Sequence, residues 1–96
     1  MLEKVKRAMR ISTSVFDEEL GELIDAGIDD LEIAGVDARA NQDMPLVSRA
    51  VITYCKAHFG ESDQYDRLKA AYDEQKAQLM TAYGYASKEV SDEEIR

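Results

Sequence analysis

Apolar residues recur at the three-and-four spacing of a helix in four stretches of the chain, separated by short polar breaks. In the first, Leu2, Val5, Ala8 and Met9 share a face, and Lys4, Lys6, Arg7 and Arg10 fall outside it. The spacing predicts a helix over about residues 2–10. So short a helix is marginal alone and must dock on the rest of the chain. Ile11-Ser12-Thr13 breaks the pattern, and Ser14-Val15-Phe16-Asp17 then reads as a capping box. The second helix is predicted to run to Ile33 or Ala34. Phe16, Leu20, Leu23, Ile24, Gly27, Ile28 and Leu31 form its apolar stripe, and Gly35 fits the residue just past its end. Gly21 and Gly27 each cost about 1 kcal/mol relative to Ala inside a helix. Gly27 lies on the apolar stripe, so close approach of another helix would account for it.

Residues 36–43 read as a polar loop. Asp43-Met44-Pro45 opens the third helix, with Asp43 or Met44 at the cap and Pro45 near its first position. This helix is expected to end at Phe59-Gly60. Its polar stripe, Arg49, Thr53 and Lys56, is narrow, so it should be the central helix, touching neighbours on several sides. Glu61-Ser62-Asp63 supplies a turn and a cap. The fourth helix is predicted from Asp63 to Ala82 or Tyr83, with Tyr65, Leu68, Tyr72, Leu79 and Tyr83 on one face and Gln75 interrupting. Gly84 ends it. The expected fold is all-α: a small bundle of about four helices over residues 1–84, followed by a flexible tail over residues 85–96 that stays mobile until bound.

Charge adds an asymmetry to this pattern. Residues 1–16 carry four bases and one acid, whereas Asp17 to Asp43 carry ten acids and only Arg39 as a base. The net charge of −8 disfavours direct phosphate binding, which needs Lys and Arg to displace counterions. A basic protein partner, or a wall that DNA slides past, remains compatible with it. Cys55 is the lone cysteine and cannot form an internal disulfide. With no apolar leader at Met1-Leu2-Glu3-Lys4, a reducing cytoplasmic setting is the simplest expectation. No apolar run is long enough to span a membrane.

No reaction motif emerges. Cys55 and His58, three apart on one helix, are too few to close a zinc site, and no other Cys or His exists to complete it. Cys55 as a nucleophile lacks an activating third group, so a buried inert thiol is the expectation. Eight acids in the sixteen residues from Asp17 to Glu32 suggest a carboxylate pair. A catalytic pair needs burial to separate its pKa values, and the amphipathic pattern puts these acids outside. Asp29-Asp30-Leu31-Glu32 lacks the alternating ligands of an EF-hand. The expectation is therefore no catalytic residue, no metal and no cofactor. The tyrosine stripe reads as core or as a subunit interface. The basic start could touch nucleic acid or salt-bridge acids of the same or a neighbouring chain.

The order of parts resembles a known family. Leu2-Glu3-Lys4-Val5-Lys6 leads to Phe16-Asp17-Glu18-Glu19-Leu20, Leu23-Ile24-Asp25-Ala26, Asp30-Leu31 and Gly35-Val36. Leu46-Val47-Ser48-Arg49-Ala50-Val51-Ile52-Thr53-Tyr54 follows, then Lys56-Ala57-His58-Phe59-Gly60, Arg67-Leu68 and Tyr72-Asp73. This is similar to the tailed-bacteriophage head–tail connector, or head-completion adaptor, over about residues 1–83. The likeness lies in apolar positions, caps and a few aromatics rather than in a reactive signature.

The resemblance implies a virion structural protein, made in the bacterial host cytoplasm and sited at the head–tail junction. It implies a ring of about a dozen copies that docks on the portal after DNA packaging. Such a ring extends the channel through which double-stranded DNA passes and receives the next connector or tail-completion protein. It implies no enzyme activity, no cofactor and no membrane.

A ring needs two different patches on each subunit. Candidate subunit-interface residues are Lys4, Arg7, Arg10, Glu18, Glu22, Asp25, Asp29, Tyr65 and Tyr72, with Lys6 beside them in the basic patch. Val90 and Ile95 are candidates for portal binding. The acids could instead form a DNA-repelling wall. The other class of function is a small acidic protein-binding module, or a DNA-mimic regulator filling a host protein's basic groove. The broad apolar coverage of the third helix tells against a free monomer of that kind.

Overall fold

The computed structural model describes residues 1–60 and 63–83. Four helices account for most of them: α1 (Leu2–Met9), α2 (Asp17–Ile33), α3 (Pro45–His58) and α4 (Tyr65–Tyr83). The fold is the expected all-α bundle, and no β-strand occurs among the described residues. Residues 85–96, with Val90 and Ile95, lie outside them, as do Glu61 and Ser62 of the anticipated turn.

The helix ends follow local chemistry. Pro45 occupies the first turn of α3 behind Met44, where its missing N–H costs nothing. At the end of α2, Gly35 takes a left-handed φ of 95°. Its N–H donates to the Glu32 carbonyl at 3.0 Å, and the Val36 N–H reaches the Leu31 carbonyl at 2.9 Å. This is a Schellman motif, completed by the burial of both Val36 and Leu31. The end of α1 repeats the pattern with Arg10 in the left-handed position at φ 60°. The Arg10 N–H donates to Arg7 at 3.2 Å and the Ile11 N–H to Lys6 at 2.9 Å. A Cβ makes that conformation cost about 1 kcal/mol that glycine would avoid.

The capping box does not form. Phe16, not Ser14, precedes α2, and no side chain caps it. The Ser14 carbonyl accepts from the Asp17 N–H at 3.1 Å, and Thr13 Oγ1 accepts from the Val15 N–H at 3.2 Å. Asp17 is drawn instead to Lys6 of α1, whose Nζ lies 2.8 Å from Asp17 Oδ1. The contact is an ion pair without hydrogen-bond alignment.

Helix α3 is the centre of the bundle, as its narrow polar stripe predicted. It packs against α1, α2 and α4, while α1 also leans on α2. Val47, Ala50, Val51 and Cys55 are fully buried between Val5, the α2 stripe, Tyr72 and Leu79. Residues 36–43 prove less polar in role than in composition. Val36 and Ala38 are fully buried members of the core, held by the turn that closes α2. Ala8, assigned to the apolar face of α1, is exposed.

Helices α2 and α3 meet tightly at Gly27. A Cβ there would lie 3.1 Å from Tyr54 Cδ1 and 3.2 Å from its Cγ, so the ring rests directly on the α2 backbone. The Tyr54 ring also meets His58 at 4.3 Å and Tyr72 at 5.4 Å between centroids. Tyr72 carries the contact onward. It is only 3% exposed, and its hydroxyl donates to Asp30 Oδ2 of α2 at 2.6 Å. Lys76 Nζ donates to the same oxygen at 3.2 Å and sits 5.2 Å from the Tyr72 ring centroid. Partial burial pushes the Asp30 carboxyl up. The hydrogen bonds from Tyr72 and Lys76, with the Lys76 and Lys69 charges, outweigh it and hold the pKa below its ordinary 3.8. Burial first, then the Asp30 carboxylate, raises the Tyr72 hydroxyl, and burial raises Tyr54 as well.

The two interior glycines should therefore respond in opposite ways. Around Gly21 a Cβ meets nothing within 4 Å, so Gly21→Ala should stabilise the fold by up to about 1 kcal/mol in urea unfolding. Gly27→Val must displace a ring already held by His58 and Tyr72, and should destabilise by about 1–3 kcal/mol.

Asp30 contributes to the acid limb of stability. Because its folded pKa is depressed, its contribution is in place above pH 3.8 and is lost as pH falls through the lower folded value. Tyr72→Phe should lower stability at neutral pH by about 1 kcal/mol and flatten that limb, measured as the unfolding midpoint from pH 2 to pH 7.

Candidate functional site

The interior offers little for chemistry. Cys55 is buried, and burial pushes its thiol up to about 12, so a thiolate nucleophile is disfavoured. His58 lies on the exposed side of α3, its ring against Tyr54 and, at 5.6 Å, edge-on to Tyr65. Among the described residues no group of three His, Cys, Asp or Glu could hold a metal ion. A small groove of about 80 Å³ between the start of α3 and the later turns of α4 is lined by Leu46, Arg49, Gln75, Gln78 and Leu79. It has room for a few waters. Gln75 Oε1, buried beside it, accepts no hydrogen bond from the described residues.

The surface is more organised than the interior. Val5 turns into the core, and the Lys6–Asp17 pair pins α1 against the start of α2. Lys6 is thereby 8% exposed and leaves the basic patch in which the sequence placed it. Lys4, Arg7 and Arg10 remain on the outside. None of the three has an ion-pair partner among the described residues.

On α2, Glu18, Glu22, Asp25 and Asp29 are all exposed and follow one another at helical spacing, opposite the buried stripe. Glu18, Glu22 and Asp25 are likewise unpaired among the described residues. Asp29 is not. Arg39 Nη2 donates to its Oδ1 at 2.6 Å, while the Arg39 N–H donates to Glu32 Oε2 at 2.8 Å. The one base in the acidic block thus folds back on it, which its isolation in the sequence hinted at. Asp30 leaves the outer row for Tyr72 and Lys76. Ile33 ends the row, 86% exposed.

The tyrosines divide. Tyr65 stays partly exposed beside His58. Tyr72 is inside the fold, so its place among residues that meet another subunit gives way to the core half of the expectation. Its bond to Asp30 spans 42 positions in sequence, and no local pattern signals it.

The described helices contain none long and apolar enough to cross a membrane. No curated protein and no solved structure matches the chain. A family model described as phage connector protein matches residues 1–86, almost the whole sequence. That family is structural rather than enzymatic, and membership implies a component of the phage particle that assembles with other phage proteins. The match over nearly its full length, carried on four packed helices, places this chain in the phage connector protein family.

Proposed function

We propose that the chain is a subunit of a head–tail connector ring of about a dozen copies, which docks on the portal, extends the DNA channel and links head to tail. The observation that carries this reading is the family match over residues 1–86. The outer charges support it. A closed ring needs two unlike patches on each subunit, and this subunit has one cationic and one anionic face with no internal partner among the described residues. A net charge of −8 also suits a channel wall that must not hold on to DNA. In this reading Val90 and Ile95 reach the portal, and the next connector or tail-completion protein binds the far side of the ring.

Native mass spectrometry and negative-stain microscopy of the full chain, alone and with the portal protein of the same phage, test it. The expected outcome is a closed ring with an axial opening, seated coaxially on the portal. Deleting residues 85–96 should abolish portal binding while leaving the thermal unfolding of the helical part intact. A chain that stays monomeric at all concentrations, ignores the portal and captures a basic protein instead would contradict the proposal.

A further inference from the structure

We infer that the outward cations of α1 dock on the outer acidic row of α2 in a second copy of this chain, with Lys4, Arg7 and Arg10 facing Glu18, Glu22 and Asp25. The contact rests on the ring reading above and supplies its subunit interface.

The first argument is what internal pairing leaves over. Three neighbouring charges are taken up within the chain: Lys6 by Asp17, Asp29 by Arg39 and Asp30 by Lys76. Lys4, Arg7 and Arg10 on α1, and Glu18, Glu22 and Asp25 on α2, are each exposed and without an ion-pair partner among the described residues. Their spacings are compatible. Lys4 and Arg7 rise about 4.5 Å apart along α1, and the acids of α2 rise about 6 Å and then about 4.5 Å from Glu18 to Glu22 to Asp25. The Lys6–Asp17 pair holds α1 in place, so its outer row is presented in a fixed orientation rather than on a frayed end.

Arg10 supplies an independent argument. It is the only non-glycine residue with positive φ among those described, in a position that glycine would fill without strain. A strained residue kept at a surface points to work done by its side chain. That side chain is exposed and has no ion-pair partner among the described residues. The partner is a second copy rather than nucleic acid because the acids must meet cations, and every subunit carries the matching row. The two patches differ, so the contact is head-to-tail and generates a ring or a filament rather than an isologous pair. Ile33, at the end of the acidic row, adds an apolar edge to it.

The test compares full-length variants by sedimentation velocity and native mass spectrometry, with thermal unfolding followed on each. Arg7→Glu with Arg10→Glu, and separately Glu22→Arg with Asp25→Arg, should each weaken self-association at least about tenfold. The quadruple variant should restore it to within a few-fold of the unmodified chain. Arg10→Gly should raise the Tm by a few degrees and still weaken assembly, an opposition that a merely structural role for Arg10 would not give. If the unmodified chain forms rings and both charge-reversed pairs form them equally well, the contact is wrong and the ring reading stands. Weakening in both pairs without restoration in the quadruple variant also overturns the charge pairing. A chain that never self-associates, alone or on the portal, overturns both.

Discussion

Tyr54 seated on the bare backbone of Gly27 is the contact on which the rest of the bundle depends. It brings the Tyr54 ring of α3 so near the α2 backbone that even a Cβ at Gly27 would crowd it. The same ring carries Tyr72 on its other edge, and Tyr72 returns to α2 through its hydrogen bond to Asp30. Three helices are thus tied through one aromatic pair and one carboxylate. Among the described side chains of α4, Tyr72 and Leu79 are the buried ones, so α4 leans heavily on this tie. The hydroxyl–carboxylate bond matters because Tyr72 is otherwise enclosed, and an unpaired hydroxyl there would cost about as much as the bond contributes.

Electrostatics in this chain divides into inner and outer parts. Lys6 and Asp17 meet at the seam of α1 and α2, and Lys76 meets Asp30 at the seam of α4 and α2. These pairs sit where helices join, and they set which faces of α1 and α2 point away. Arg39 turns back from the loop to cover Asp29 and Glu32 at the far end of α2. After these pairings the acidic block is no longer a uniform surface. It is a short unpaired row at the start of α2, a neutralised turn near its end and an exposed Ile33 beyond. A row with limits and a fixed orientation is what a protein contact requires and what a general solubilising surface does not.

Most of the fold is legible in the sequence, because helical periodicity, Pro45 and Gly35 are local signals. The stripe from Leu20 to Leu31 is buried as its spacing predicts, and Gly27 on that stripe marks a close approach. The capping box failed because Asp17 finds a partner in Lys6, eight residues before the expected cap at Ser14. Val36 and Ala38 were missed because turn geometry, not periodicity, folds them into the core. For the candidate surface, the sequence located both charged patches. It could not tell Lys6 from Arg7, or Asp29 from Asp25, since those distinctions arise from pairing across the fold. Arg10 at positive φ leaves no trace in composition at all.

The family to which this chain belongs is structural rather than enzymatic. In the inferred assembly, α1 of one copy lies on α2 of the next. The most direct measurement is zero-length amine-to-carboxylate cross-linking of assemblies formed from equal parts of light- and heavy-isotope chains. The account predicts mixed-isotope links joining Lys4 to Glu18, Glu22 or Asp25. Assemblies in which Lys4 links only to carboxylates of its own copy, or only to others of a neighbour, would contradict it.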